Sequence, residues 1–237
     1  MGKTFEALER AKKEANREIP DLLGGPPAGL GLDPAAMECC HELRNTVQAR
    51  HPDKNIRSIL FVGTSPGDGS STAAINYATA LAQDTEKKVL LIDFSGVKSR
   101  PGQAPGEAHP RTNIDNGEDR KRRFQVRKMG TGNLYCPVQS IAGAEFLEPD
   151  RLDRFLKGVF ERFYYLVMAC PVASGSSEVA AICAKVDGII MVILSGKTRE
   201  QIALKAKEDL EGAGGTILGA ILNRRKYYIP EFFYRRL

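Results

Sequence analysis

The chain lacks several features that would narrow its function at once. No apolar run approaches the roughly 18 residues a membrane-spanning helix needs, and no basic n-region followed by an apolar h-region opens it, so a cytoplasmic protein is expected. Its five cysteines (Cys39, Cys40, Cys136, Cys170, Cys183) include no C-x-x-C pair, and two fall in apolar runs. That pattern points to reduced, buried thiols. His41, His51 and His109 have no metal-ligand spacing, which argues against a zinc site. A net charge of +5 is mild for a nucleic-acid binder; it suits an anionic partner such as a membrane surface or phosphate without requiring one.

What is present is a chain of 237 residues, 42% apolar and 27% charged, long enough for one substantial α/β domain with peripheral elements. Residues 1–19 read as an N-terminal helix dense in charge, with Phe5, Leu8, Ala11, Ala15 and Ile19 on a thin stripe that suits either a docking helix or a solvated one. The opening MGKTFE lacks the Ser or Thr that a myristoylation signal wants at its sixth position. Residues 20–34 shift to Pro, Gly and Leu and read as a linker, leaving 35–237 as the main domain. A helix over about 35–49 places Glu38, His41 and Arg44 on one face.

The stretch that organises the rest is 59–72, ILFVGTSPGDGSST. It is an apolar strand, a Gly/Ser/Pro turn and the opening of a helix, the layout of a P-loop in which backbone N–H groups and a helix N-terminus hold an anion. The pattern G-x-x-x-x-G-K-[ST] fails at the lysine, where Ser70 stands. Helix 71–83 and strand 88–93 complete a βαβ unit whose strands are expected to be parallel. Residues 95 to about 130 break the pattern and read as an irregular insertion, with a basic cluster at Arg120, Lys121, Arg122, Arg123, Arg127 and Lys128 that is either an anion-binding patch or a solvated surface. Further strands are expected at 133–138, 164–169, 188–194 and 216–222, with helices at about 149–162, 176–185 and 198–211. This alternation predicts an α/β fold, a doubly wound, mostly parallel sheet in three α/β/α layers. Its ligand end lies beyond the carboxyl ends of the strands, where Gly67–Ser71, Asp93 and Cys170 would converge.

Several motifs occur in a recognisable order: GTSPGDGSST, LLID, NLY, YYLVMACP, DGIIMVILSGKT and LGAILNRRKYY. With these, the chain resembles the bacterial tyrosine kinases of capsule and exopolysaccharide synthesis, deviant P-loop relatives of the septum-positioning and partitioning ATPases, over roughly 38–228. The resemblance implies a P-loop lysine on the β/γ-phosphates, a carboxylate pair after the second strand and a Walker B aspartate. Here those positions hold Ser70, Asp93 with Ser95, and Ala169, and the Arg-rich stretch is reduced to Lys98 and Arg100. Asp93 and Ser71, the usual Mg²⁺-ligating hydroxyl, remain as remnants.

The resemblance therefore implies a catalytically degenerate member. Weak nucleotide or phosphate binding, ATP or ADP with Mg²⁺, would fall to Gly67, Asp68, Gly69, Ser70, Ser71 and Thr72. Asn223 would either lie near the base or serve as a strand-end turn residue. Lys98 or Lys197 would have to replace the missing lysine if the chain were active. Glu38, His41 and Arg44 stand at the family's oligomerisation signature, with His41 in place of an arginine fork. Tyr227, Tyr228 and Tyr234 correspond to the phosphoacceptor tail, or pack against the domain with Ile229, Phe232 and Phe233. The expected partners are a membrane polysaccharide co-polymerase or chain-length protein, an active kinase paralogue or further copies of the chain, and no nucleic acid. An active atypical kinase or ATPase, and a partitioning-type nucleic-acid or membrane binder using the basic cluster, are the alternatives.

Overall fold

An apolar run with no polar alternation has to be covered on both faces, and the central strand meets that condition. A computed structural model describes residues 34–94, 112–114, 124–130, 132–138, 149–170 and 177–224. In chain order these form α1 (Pro34–Arg50), β1 (Ser58–Gly63), α2 (Ser70–Asp84), β2 (Val89–Asp93), β3 (Thr112–Ile114), β4 (Phe124–Met129), β5 (Leu134–Pro137), α3 (Pro149–Phe160), β6 (Tyr165–Cys170), α4 (Ser177–Cys183), β7 (Gly188–Leu194), α5 (Glu200–Gly212) and β8 (Ile217–Asn223). The strands make one eight-stranded sheet in the order β3-β4-β5-β2-β6-β1-β7-β8. Every pairing from β5 to β8 is parallel, while β4 runs antiparallel to both β5 and β3.

Residues of β1 alternate between two cores. Leu60 and Val62 join Leu90, Ile92, Leu166 and Met168 on the face covered by Leu152, Phe155 and Val159 of α3 and by Ala206 and Leu210 of α5. Ile59 and Phe61 join Leu91, Val167 and Ala169 beneath Val47 of α1 and the small residues of α2. Ala73, Ala74 and Ala78 let α2 lie close on the sheet, and the Phe61 and Tyr77 rings meet there at 5.4 Å. Leu60 and Phe61 have no exposed surface, and each contributes about 1.5–3 kcal/mol through burial. The order β2-β6-β1-β7 brings the carboxyl ends of four parallel strands to one edge, with the β1–α2 loop at its middle.

The doubly wound sheet is as the sequence predicts, with two departures. The stretch read as an irregular insertion contains β3 and β4. In β4 the order Phe-Gln-Val-Arg-Lys-Met sets apolar residues among basic ones, and Val126 is buried while Arg127 is exposed; pairing with β5 creates a buried face that the charge of the run conceals. The second departure concerns the thiols: none of the five cysteines is in a disulfide and Cys170 and Cys183 are buried, but Cys39 is exposed and Cys40 and Cys136 are half-buried. The N-terminal helix, the linker, Ser95, Lys98, Arg100, Arg120 to Arg123 and the C-terminal tyrosines lie outside the described residues. No helix among the described residues is long and apolar enough to cross a membrane.

Candidate phosphate-loop site

The loop from Thr64 to Gly69 leaves β1 through a turn that needs two left-handed residues, and glycine supplies both: Gly67 at φ 78° and Gly69 at φ 91°. A side chain at either would strain the backbone. Gly69 is also the N-cap of α2, and it makes no side-chain cap. The capping chemistry comes instead from Asp68, whose carboxylate accepts hydrogen bonds from the Ser65 amide at 3.0 Å and the Ser70 amide at 3.1 Å. Asp68 is 1% exposed. Burial raises its carboxyl above the ordinary range, opposed by hydrogen bonds from the Ser65, Ser70 and Thr64 amides and the Ser70 hydroxyl. The residue at the lysine position therefore points its hydroxyl into the loop.

The loop is fastened on three further sides. The Thr64 amide and hydroxyl both donate to the Val192 carbonyl of β7, at 3.1 and 3.2 Å. The hydroxyls of Ser65 and Thr198 lie 3.5 Å apart. Asn223, buried at the end of β8, donates its side-chain amide to the Asp68 carbonyl. Of the two readings of Asn223 in the sequence, the structure gives that amide a backbone partner in the loop.

The structure brings together two residues that the sequence singled out: the Ser71 hydroxyl donates to an Asp93 carboxylate oxygen at 3.2 Å. Asp93 ends β2 in register with Ala169 of β6, and the Phe94 amide donates to the Ala169 carbonyl at 2.9 Å. Ala169 has no exposed surface and packs with the α2 face of the core. Cys170 is in register with Val62 near the carboxyl end of β1, buried in the core on the α3 and α5 face. Gly67 is exposed, and Thr72 is half-buried in the first turn of α2. Lys197 is exposed on the turn after β7, next to the Thr198 that meets Ser65.

A Mg²⁺-nucleotide would find the Ser71 hydroxyl and the Asp93 carboxylate as ligand groups for the metal shell, with no carboxylate from β6. Such a donor set can complete the shell of a metal already carried by phosphates, which is how Mg²⁺ is commonly held. It offers no cation at the lysine position.

The helix signature lies away from this loop. The His41 and Arg44 side chains both reach Asp84 at the end of α2, at 2.7 and 3.3 Å, while Glu38 is exposed. Sequence reasoning missed Asp84, forty positions downstream, and Thr64, Ser65 and Thr198; Ser65 sits inside the motif and carried a signal, whereas Thr198 had none.

No family model matches the chain. Among curated proteins it is similar to the tyrosine-protein kinase YwqD of Bacillus subtilis, 25% identical over 195 residues that cover 78% of this chain and 79% of that one. It is likewise similar to the tyrosine-protein kinase CpsD of Streptococcus agalactiae, 27% identical over 199 residues covering 79% and 82%. Among solved structures, the kinase domain of the Escherichia coli tyrosine kinase ETK shares the fold at a TM-score of 0.64 and 19% identity, covering 80% of this chain and 75% of that one. With the ordered motifs, the parallel sheet and the loop at the carboxyl edge, these likenesses agree: the chain is similar to bacterial tyrosine-protein kinases and shares the fold of a kinase domain of that kind.

Proposed function

We propose that this chain is a catalytically silent member of its family that serves as a scaffold or regulator in exopolysaccharide or capsule synthesis and export. The observation that carries the reading is the neutral pair at the site: Ser70, its hydroxyl turned onto Asp68, and Ala169, wholly buried where β6 ends beside Asp93. A tyrosine kinase must neutralise the transferring phosphoryl group and hold Mg²⁺ across the phosphate oxygens. Losing one preorganised electrostatic group costs about 2.7–4 kcal/mol of transition-state stabilisation, two to three orders of magnitude in rate. Two are lost together here.

The same loop supports weak binding of ATP or ADP without turnover, because the N-terminus of α2, although Asp68 takes its Ser70 amide, still lies beside the Ser71 and Asp93 pair. Partners follow from the family: a membrane co-polymerase or chain-length protein, or an active paralogue, which would hold the chain at the inner face of the plasma membrane. Glu38, exposed on α1, is the member of the Glu38, His41 and Arg44 set most open to a neighbouring copy, since the other two reach Asp84.

Calorimetry with ATP, with and without Mg²⁺, on the wild type beside the Ser70→Lys/Ala169→Asp variant is the direct check. Weak, Mg²⁺-indifferent binding by the wild type and Mg²⁺-dependent binding by the variant are expected; micromolar, Mg²⁺-dependent binding by the wild type overturns the reading. The rival, an active enzyme with a displaced lysine, rests on Lys197, exposed beside the Thr198 contact to the loop. It requires Lys197→Ala to abolish a turnover that the parent possesses.

A further inference from the structure

The phosphate loop already holds an anion, and that anion is its own. We propose that Asp68 is an autoinhibitory plug: its carboxylate fills the loop in the role a phosphate group would take, and Asn223 pins it there. The inference rests on the reading of this loop as a phosphate cradle that has lost its chemistry, and it names the contact that keeps the cradle closed.

Three observations carry it. First, the Asp68 carboxylate takes amides on both sides of the turn, Ser65 at 3.0 Å and Ser70 at 3.1 Å, the second at the N-terminus of α2. A phosphate oxygen seeking the Ser70 amide meets an acceptor already in place, and a like charge with it. Second, the carboxylate is not a surface group that swings aside. Asp68 is 1% exposed, its own amide donates to the Ser65 carbonyl at 3.2 Å, and its carbonyl accepts from Asn223, 3% exposed, across from β8. Third, the loop is bound at its base to β7 through Thr64 and Val192 and at its shoulder to Thr198. Opening it would break contacts to two strands at once. A lysine at position 70 would be the natural counter-charge for a carboxylate placed here; Ser70 supplies a hydroxyl instead.

The consequence concerns affinity rather than catalysis. Removing the carboxylate frees the Ser65 and Ser70 amides and removes a negative charge from the cradle, so anion binding should rise even though no catalytic group is restored. ADP and inorganic pyrophosphate are titrated into the full chain by calorimetry for the wild type, Asp68→Ala, Asp68→Asn and Asp153→Asn. Asp153 is a half-exposed carboxylate paired with Lys185, and it controls for the change in overall charge.

Asp68→Ala is expected to bind both ligands at least tenfold tighter than the wild type, Asp68→Asn to fall between them, and Asp153→Asn to match the wild type. Equal affinities for the wild type and a folded Asp68→Ala overturn the plug, as does an equal gain in Asp153→Asn. Should Asp68→Ala fail to fold, Asp68→Asn and amide exchange in the wild type decide. Slow exchange at Ser65 and Ser70 that millimolar ADP leaves unchanged supports the plug, and fast exchange that ADP slows contradicts it. Phosphoryl transfer by the wild type would sink the silent-kinase reading without touching these ratios, whereas equal ADP affinities would sink the plug and leave that reading standing.

Discussion

Both ends of β1 are closed by an aspartate that gathers backbone amides, and the two could hardly differ more in setting. At the amino end, Asp187 accepts from the Arg57 amide, the Ser58 amide and the Ser58 hydroxyl, each at 2.8 Å, and it is exposed. The Arg57 side chain is stacked over Phe160 and Tyr164 while its guanidinium donates to the Tyr164 and Phe163 carbonyls. At the carboxyl end, Asp68 does similar work for Ser65 and Ser70 while wholly buried. An exposed bracket is what any strand entrance tolerates, because water still solvates the charge. A buried one where nucleotides enter such sheets trades ligand access for loop rigidity. The amino end keeps Arg57, Lys87 and Lys88 against aromatic faces, whereas the carboxyl end holds the neutral Ser70 and Ala169.

The comparison breaks most visibly if a carboxylate is placed at the carboxyl end of β6. Ala169→Asp places an uncompensated charge where no surface is exposed, and a loss of about 3–5 kcal/mol is expected, read as a lower urea midpoint at unchanged slope. At the other end, Asp187→Ala leaves the Arg57 and Ser58 amides without their acceptor; about 1–3 kcal/mol should be lost in the same melts.

Asp68→Asn should cost less than Asp187→Ala at neutral pH, because it also relieves a buried charge, and its effect should depend on pH. A carboxyl held above its ordinary range in the folded state binds protons there more readily than when unfolded. Its contribution is fully present below the ordinary value near about 4 and lost as pH rises through the raised value. Wild type should therefore gain on Asp68→Asn as pH falls across that window, followed by paired thermal melts; a difference independent of pH contradicts the burial account. The smallest effect is kinetic: maleimide should label exposed Cys39 first, Cys40 slowly because burial pushes its thiol up to about 12, and Cys170 near the carboxyl end of β1 only on unfolding. Rapid labelling of Cys170 would mean that the carboxyl end is more open than the amino end.

Much of this was legible in the residues. The run ILFVG reads as a covered strand because it has no polar alternation, and the Gly/Ser/Pro stretch after it reads as a turn, whereas the left-handed backbone at Gly67 and Gly69 came only with the structure. The neutral Ser70 and Ala169 were visible by position. The direction of Asp68 was not: an acidic residue in a glycine turn reads equally as a solvated charge, and only packing against β8 through Asn223 turns it inward. Asp187 and Asp84 carried no motif, since each acts on residues far away in the chain, Ser58 in one case and His41 with Arg44 in the other. The strand β4 hid behind basic residues and β3 behind its three-residue length, because their pairing, rather than their composition, makes a face to bury.

A neutral, self-occupied loop should leave the fold without phosphoryl transfer, and labelling of the chain's own tyrosines shows whether it does. The full chain is incubated with Mg²⁺ and radiolabelled ATP, and phosphotyrosine is mapped with attention to Tyr227, Tyr228 and Tyr234. The account predicts no label above a heat-treated control from the wild type alone. Time-dependent, Mg²⁺-dependent label on any of those tyrosines, lost in Asp93→Ala, would contradict it.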